Sequence, residues 1–169
     1  MSSDALVRQY ADFAYRVALG VTGGEADAAD ATQEALVSIW RHGADVPAER
    51  MRAWVARVAR NAALDLIRRR SVRPQPLAGE ALPDPACPAP GPDALSEAGD
   101  VRRELAAALE RLGEPFRSLV VLRDVEGLTY DEIAETLSLP LTTVKVYLHR
   151  GRARLRAALT ASVPDLVPQ

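Results

Sequence analysis

Pro74, Pro76, Pro83, Pro85, Pro88, Pro90 and Pro92 fall within one short stretch near the middle of a chain of 169 residues. Each proline lacks a backbone donor and fixes φ, so none can sit inside a helix or a central strand. At this density the stretch reads as a semi-extended linker with local polyproline character. It divides the chain into two pieces, each small for an independent core. Whatever folds on either side must do so with short elements and little apolar volume.

Both flanks carry helical periodicity, with no period-two pattern and no internal repeat. In "SSDALVRQYADFAYRVALG", Leu6, Tyr10, Phe13 and Val17 recur on one face. Ser3 is placed to cap that helix, and Gly20 with Gly23 and Gly24 to end it. In "EADAADATQEALVSIWRH", Ala29, Leu36, Ile39 and Trp40 can face inward, leaving Asp27, Asp30 and Glu34 as an acidic outer stripe. After a turn holding Gly43 and Pro47, "MRAWVARVARNAALDLIRRR" sets Met51, Trp54, Val55, Val58, Ala59, Ala62 and Leu66 on one face and its arginines mostly on the other. Beyond the linker, Val101, Leu105, Ala108, Leu109 and Leu112 share a face, Gly113 closes the helix, and Pro115 is placed to start "PFRSLVVLRDVEG". Aromatics make up only 5% of the chain. A core of alanine, leucine and valine suits packed helices. The expectation is an all-α chain of two small helical domains, residues 1–73 and 98–163, joined by a flexible acidic linker over 74–97.

The segment "TYDEIAETLSLPLTTVKVYLHRGRARLR" has the offsets of a helix-turn-helix. Thr129 and Glu132 match the spacing of a capping box. Ala134 is the small residue that lets a second helix approach closely. The turn follows at Ser138, and Val144 is the buried anchor beyond it. Ile133, Leu137, Leu148 and Leu155 complete the apolar seam, and Pro140 suits the start of the second helix. Such a pair presents the outer face of its second helix to a DNA major groove. The residues on that face are Thr142, Thr143, Lys145, Val146, Tyr147 and His149, with Arg150 and Arg152 in reach of phosphates.

The net charge of −2 conceals segregation. Arg50, Arg52, Arg57, Arg60, Arg68, Arg69, Arg70 and Arg73 crowd one segment, with Asp65 among them. Lys145, Arg150, Arg152, Arg154 and Arg156 crowd another. Glu80, Asp84, Asp93, Glu97 and Asp100 lie between, with no basic residue. Two basic patches about an acidic spacer point to a polyanionic partner. On the arginine helix, Arg57, Arg60 and the Arg68–Arg70 cluster can bind phosphates, and Asn61 can meet an exposed base edge.

Enzyme classes find no support. His42 and His149 lie far apart in sequence, and no phosphate-cradling glycine loop occurs. The lone Cys87 provides neither a disulfide nor a metal site. No catalytic residue, metal or cofactor is expected. The chain has no apolar run long enough to span a membrane and no signal-peptide pattern at "MSSDALVRQY", so a cytoplasmic location is expected.

Taken in order, "DAADATQEALVSIWR", "WVARVARNAALDLIRRR" and "LRDVEGLTYDEIAETLSLPLTTVKVYLHRGRARLR" resemble the extracytoplasmic-function sigma factors of bacterial RNA polymerase. The resemblance covers nearly the whole chain. It implies that Asp30, Gln33, Glu34 and Val37 bind the β′ clamp helices of core polymerase. It implies that Arg57, Arg60, Asn61, Asp65, Arg68, Arg69 and Arg70 serve the −10 element, and that the helix-turn-helix reads the −35 element and docks on the β flap. An anti-sigma factor is an implied further partner. The chain departs from the family's pattern at Ser138, where glycine is common, and at Val146 and Tyr147, where a hydroxyl and a cation are common. The rival reading is a helix-turn-helix regulator that binds duplex DNA without core polymerase.

Overall fold

The computed structural model describes residues 2–72 and 97–162. The linker expectations for 74–96, Cys87 included, lie outside them; Glu97, expected as the last residue of the linker, is instead helical. Among the described residues there are helices and turns but no strand. Helix α1 (Ser3–Thr22) packs against α2 (Glu25–His42) and α3 (Met51–Val72). Then come α4 (Glu97–Leu112), α5 (Phe116–Val120) running into a π-turn (Val121–Val125), α6 (Tyr130–Leu137) and α7 (Leu141–Ser162).

The cap of α1 is Ser2 rather than Ser3; its hydroxyl accepts from the Ala5 amide at 3.3 Å. Gly20 does not end the helix. It lies inside α1, where Val121 of the π-turn rests against it so closely that a Cβ would overlap the valine. The stop comes at Gly23, whose φ of +75° is the left-handed conformation glycine adopts without strain.

The inner face of α2 differs from the one the periodicity suggests. Ala28, Ala31, Thr32, Ala35 and Ile39 are buried, while Ala29 and Trp40 face outward. The Thr32 hydroxyl is satisfied by donating to the Ala28 carbonyl at 2.6 Å. Alanine is so frequent in this helix that its buried stripe carries little hydrophobic contrast. The large Trp40 then biases the reading of the face toward itself.

Helix α3 buries Met51, Ala53, Val55, Ala56, Ala59, Ala62 and Ala63, leaving Trp54, Val58 and Leu66 half-buried. It is covered on more than the single face expected, because α6 packs on it as well. The Thr136 hydroxyl, buried at that contact, donates to the Ala53 carbonyl at 3.1 Å. In α4, Ala108, Leu109 and Leu112 reach the core, but Val101 and Leu105 near its start remain exposed. One cluster of buried side chains runs from Leu6, Phe13, Val17 and Val55 through Leu119 to Ile133, Val144 and Leu148. The two halves are therefore packed together.

The turn between α6 and α7 holds Ser138 at φ 53° and ψ 44°, the left-handed region. A side chain there is strained by contact with the following carbonyl. Ser138→Gly relieves that strain at the cost of greater freedom in the unfolded chain. It is expected to raise stability by about 0.5–1 kcal/mol, read from the urea midpoint at unchanged m. A drop in midpoint would show that the serine hydroxyl stabilises the turn.

Candidate nucleic-acid interface

The first helix of the pair, α6, begins with a complete capping box. The Glu132 amide donates to the Thr129 hydroxyl at 3.2 Å, and the Thr129 amide donates to the Glu132 carboxylate at 2.7 Å. Ile133, Val144 and Leu148 are fully buried behind the turn. This fixes the rotation of α7, because two anchors four residues apart lie on one stripe of a helix. Thr142, Lys145, Val146, His149 and Arg150 then fall on its exposed face, with Thr143 half-buried. Tyr147 turns partly inward and meets the Phe116 ring at 5.4 Å between centroids. The Arg154 guanidinium lies over the same ring at 4.2 Å. Arg152 forms a two-bond pair with Asp124, at 2.9 and 2.5 Å. Its hydrogen bond to that carboxylate, more than the charge itself, holds its pKa above the usual arginine value.

The arginines before and along α3 are divided between two environments. Arg57 donates to the Glu135 carbonyl and, at 3.4 Å, to the Thr136 carbonyl. Arg60 donates to the Ser118 hydroxyl at 2.7 Å and pairs with Glu114 at 3.2 Å. Arg50 pairs with Glu135 at 2.6 Å. Arg52 pairs with Glu132 at 3.6 Å and donates to the Glu126 carbonyl at 2.6 Å. All these acceptors belong to the C-terminal half. Farther along, Asn61 is exposed, and Arg68, Arg69 and Arg70 are exposed but paired with Asp65, Glu34 and Asp27. Hydrogen bonding to Glu34, with its charge, holds the pKa of Arg69 above the usual arginine value. At the seam between the halves, Arg16 of α1 donates to both oxygens of the Glu126 carboxylate, at 3.1 and 3.2 Å.

On α2, Asp30, Gln33, Glu34 and Val37 all lie on the exposed face. Trp40 joins them, with 55% of its surface exposed and its indole donating to Asp4 at 3.1 Å. The hydrophobic periodicity of α2 sets this tryptophan inward, and the structure turns it out. Helical register held the contrary signal: Gln33, Val37 and Trp40 are related by i, i+4 and i+7 and must share a side.

A helical unit bearing an arginine-lined helix is thus set against a capped helix-turn-helix with a basic exposed face. Residues 6–73 match the family described as sigma-70 region 2, and residues 102–155 match sigma-70, region 4. The chain is 40% identical over 159 residues to the ECF RNA polymerase sigma factor SigE of Mycolicibacterium smegmatis, covering 92% of this chain and 60% of that one. It therefore spans about three-fifths of the length of SigE. It is 33% identical over 157 residues to SigL of Mycobacterium tuberculosis, covering 92% and 87% of the two chains. Among solved structures it is similar to CnrH in complex with the cytosolic domain of CnrY, with a TM-score of 0.68, 25% identity, and coverage of 94% and 88%. The chain belongs to the ECF family of RNA polymerase sigma factors.

Proposed function

We propose that this chain is an alternative sigma factor that directs bacterial core RNA polymerase to its own set of promoters. The observation that carries the reading is the exposed face of α7. Thr142, Lys145, Val146, His149 and Arg150 point outward there from a helix whose rotation is locked by Val144 and Leu148. Thr142 and Thr143 at the start of the helix suit phosphate or base contacts, Lys145 a guanine or phosphate, and Val146 a thymine methyl. Arg150 and Arg152 supply phosphate contacts. Tyr147 braces the helix against Phe116. The −10 region falls to Arg57, Arg60, Asn61, Asp65, Arg68, Arg69 and Arg70, and core polymerase to Asp30, Gln33, Glu34 and Val37, with Trp40 added. The action is binding, with no covalent step assigned to any residue. Because CnrH is seen with the cytosolic domain of CnrY, we extend to this chain an anti-sigma factor as a further partner.

The test is run-off transcription from the DNA upstream of the protein's own gene, with purified bacterial core polymerase. A transcript from one start site that needs both proteins supports the reading. A shift of duplex DNA by the chain alone, with no transcript, favours the free-standing regulator. That rival leaves the match of residues 6–73 to sigma-70 region 2 without a role. Within the positive outcome, Lys145→Ala is expected to lower specific run-off roughly tenfold while leaving stability within about 0.5 kcal/mol. Full activity of that variant would remove Lys145 from the DNA contact.

A further inference from the structure

Of the basic residues that α7 turns outward, Lys145, His149 and Arg150 make no side-chain hydrogen bond or ion pair among the described residues, whereas Arg152 is held. Its Nε donates to one oxygen of Asp124 at 2.9 Å and its Nη2 to the other at 2.5 Å. That pair occupies one edge of the guanidinium. The group carries five donors in a fixed planar fork, so the edge formed by Nη1 and the second Nη2 hydrogen stays available for two more acceptor oxygens. A phosphate offers such oxygens. The Arg152 side chain is 45% exposed, so a partner can reach that edge from solvent.

Both ends of the pair are rigidly mounted. Asp124 stands in the π-turn, where Val121 and Leu122 are buried. The turn is closed by the Glu126 amide donating to the Val121 carbonyl at 3.0 Å and the Leu128 amide donating to the Leu122 carbonyl at 2.9 Å. Beside Asp124, the Arg123 guanidinium donates to the Leu128 carbonyl at 2.7 Å and lies over the Tyr130 ring at 4.8 Å. On α7, Val144, Leu148 and Gly151 are buried, which sets the rotation of the helix right up to Arg152. Lys145, His149 and Arg152 follow one another at i, i+4 and i+7 along a single stripe. Arg152 therefore extends the recognition face rather than lying behind it.

We propose that Asp124 is a positioning residue for promoter binding: it holds Arg152 by one edge so that the other edge is presented, already ordered, to a phosphate of the −35 duplex. The proposal rests on the reading of α7 as the −35 recognition helix. A free arginine loses its rotamer freedom when it settles on a phosphate, whereas one already held has lost it beforehand and binds the better for it. Charge alone predicts the opposite sign. Asp124 is an anion close to the DNA face, so by charge its removal tightens binding to a polyanion. By positioning, its removal weakens that binding.

The experiment uses the full chain with purified core polymerase, on a fluorescein-labelled duplex carrying the start site that run-off defines. Affinity is measured by anisotropy from about 50 to about 200 mM salt. Asp124→Ala and Asp124→Asn, the second of which keeps the side-chain shape, are each expected to weaken binding about threefold to tenfold. Arg152→Ala should weaken it at least as much and lower the slope of log affinity against log salt by about 0.9, the share of one phosphate. Arg152→Lys should lose affinity too, although its charge is kept, because a compact ammonium has no second edge to present. Beside Arg152→Ala, Asp124→Ala should cost nothing further. Tighter or unchanged binding by both Asp124 variants overturns the positioning. An unchanged slope in Arg152→Ala overturns the phosphate contact and leaves the pair as a bridge that only steadies the fold. A loss from Asp124→Ala that persists in full beside Arg152→Ala overturns the route through Arg152. Specific run-off by the wild-type chain with no loss in the Asp124 variants sinks only this proposal. If the wild type gives no transcript but shifts the duplex alone, the sigma reading falls and the same variants are decided on that shift; neither transcript nor shift overturns both.

Discussion

Replacing Leu148 with alanine is expected to lower the stability of the chain by about 2–5 kcal/mol and to abolish promoter-specific transcription at 37 °C. Leu148 is 1% exposed and belongs to the cluster that joins Ile133, Val144 and Leu119. Truncation leaves a cavity directly behind the recognition face, and the loss grows with whatever volume the surroundings cannot fill. Urea unfolding followed by circular dichroism measures it. Val146→Ala is the control: the same helix, two residues away, but on the exposed face, with an expected change within about 0.5 kcal/mol. A loss below about 1 kcal/mol for Leu148→Ala would mean that α7 is not anchored by its buried stripe, and the rotation assigned to its DNA face would fall with it.

Trp40→Ala is expected to weaken the complex with core polymerase by about 2 kcal/mol or more, roughly 30-fold in Kd, while the free chain unfolds nearly as before. Exposed tryptophan is costly to leave in water without a partner, and interface energy concentrates in such aromatic anchors. Here it stands beside Val37, itself 50% exposed, and in register with Gln33 on the acidic face of α2. Its indole is already steered by the hydrogen bond to Asp4. Binding of labelled chain to purified core polymerase, measured at two salt concentrations, separates the apolar anchor from the charged residues around it. The loss from Trp40→Ala should persist at high salt, whereas that from Asp30→Ala should shrink as the charge is screened. An unchanged Kd for Trp40→Ala would move the docking surface off this face.

Much of this is legible in the sequence. The helix-turn-helix could be read almost residue by residue, because capping, turn and anchor are local and each demands a particular residue type. Thr129, Glu132, Ile133, Ser138 and Val144 stand where those rules put them. The inner face of α2 was legible at Ile39 and in part at Leu36, but not along its alanines. A stripe made of Ala28, Ala31 and Ala35 has no contrast against a helix full of alanine, and the one bulky residue faces out. The interior position of Gly20 was not legible either, since what holds it there is Val121, a hundred residues away in the chain. The same holds for Arg57 and Arg60. Their charge marks them as polyanion-directed, but that their present acceptors are in the other half of the molecule is a fact of tertiary packing alone.

The alanine seam of the first three helices has a consequence for how this chain can vary. Ala14, Ala18, Ala28, Ala31, Ala35, Ala56, Ala59 and Ala63 are all buried to within 1%. Helices so joined lie near the limit of approach, where there is almost no side chain left to trim. Substitutions there can go in one direction only, toward greater bulk, and overpacking a tight interior costs about 1–3 kcal/mol at each site. The mutational spectrum of the N-terminal half should therefore be lopsided. Along this seam the addition of even a single methylene will find many targets, and the tolerated replacements will cluster on serine, the smallest step up in bulk.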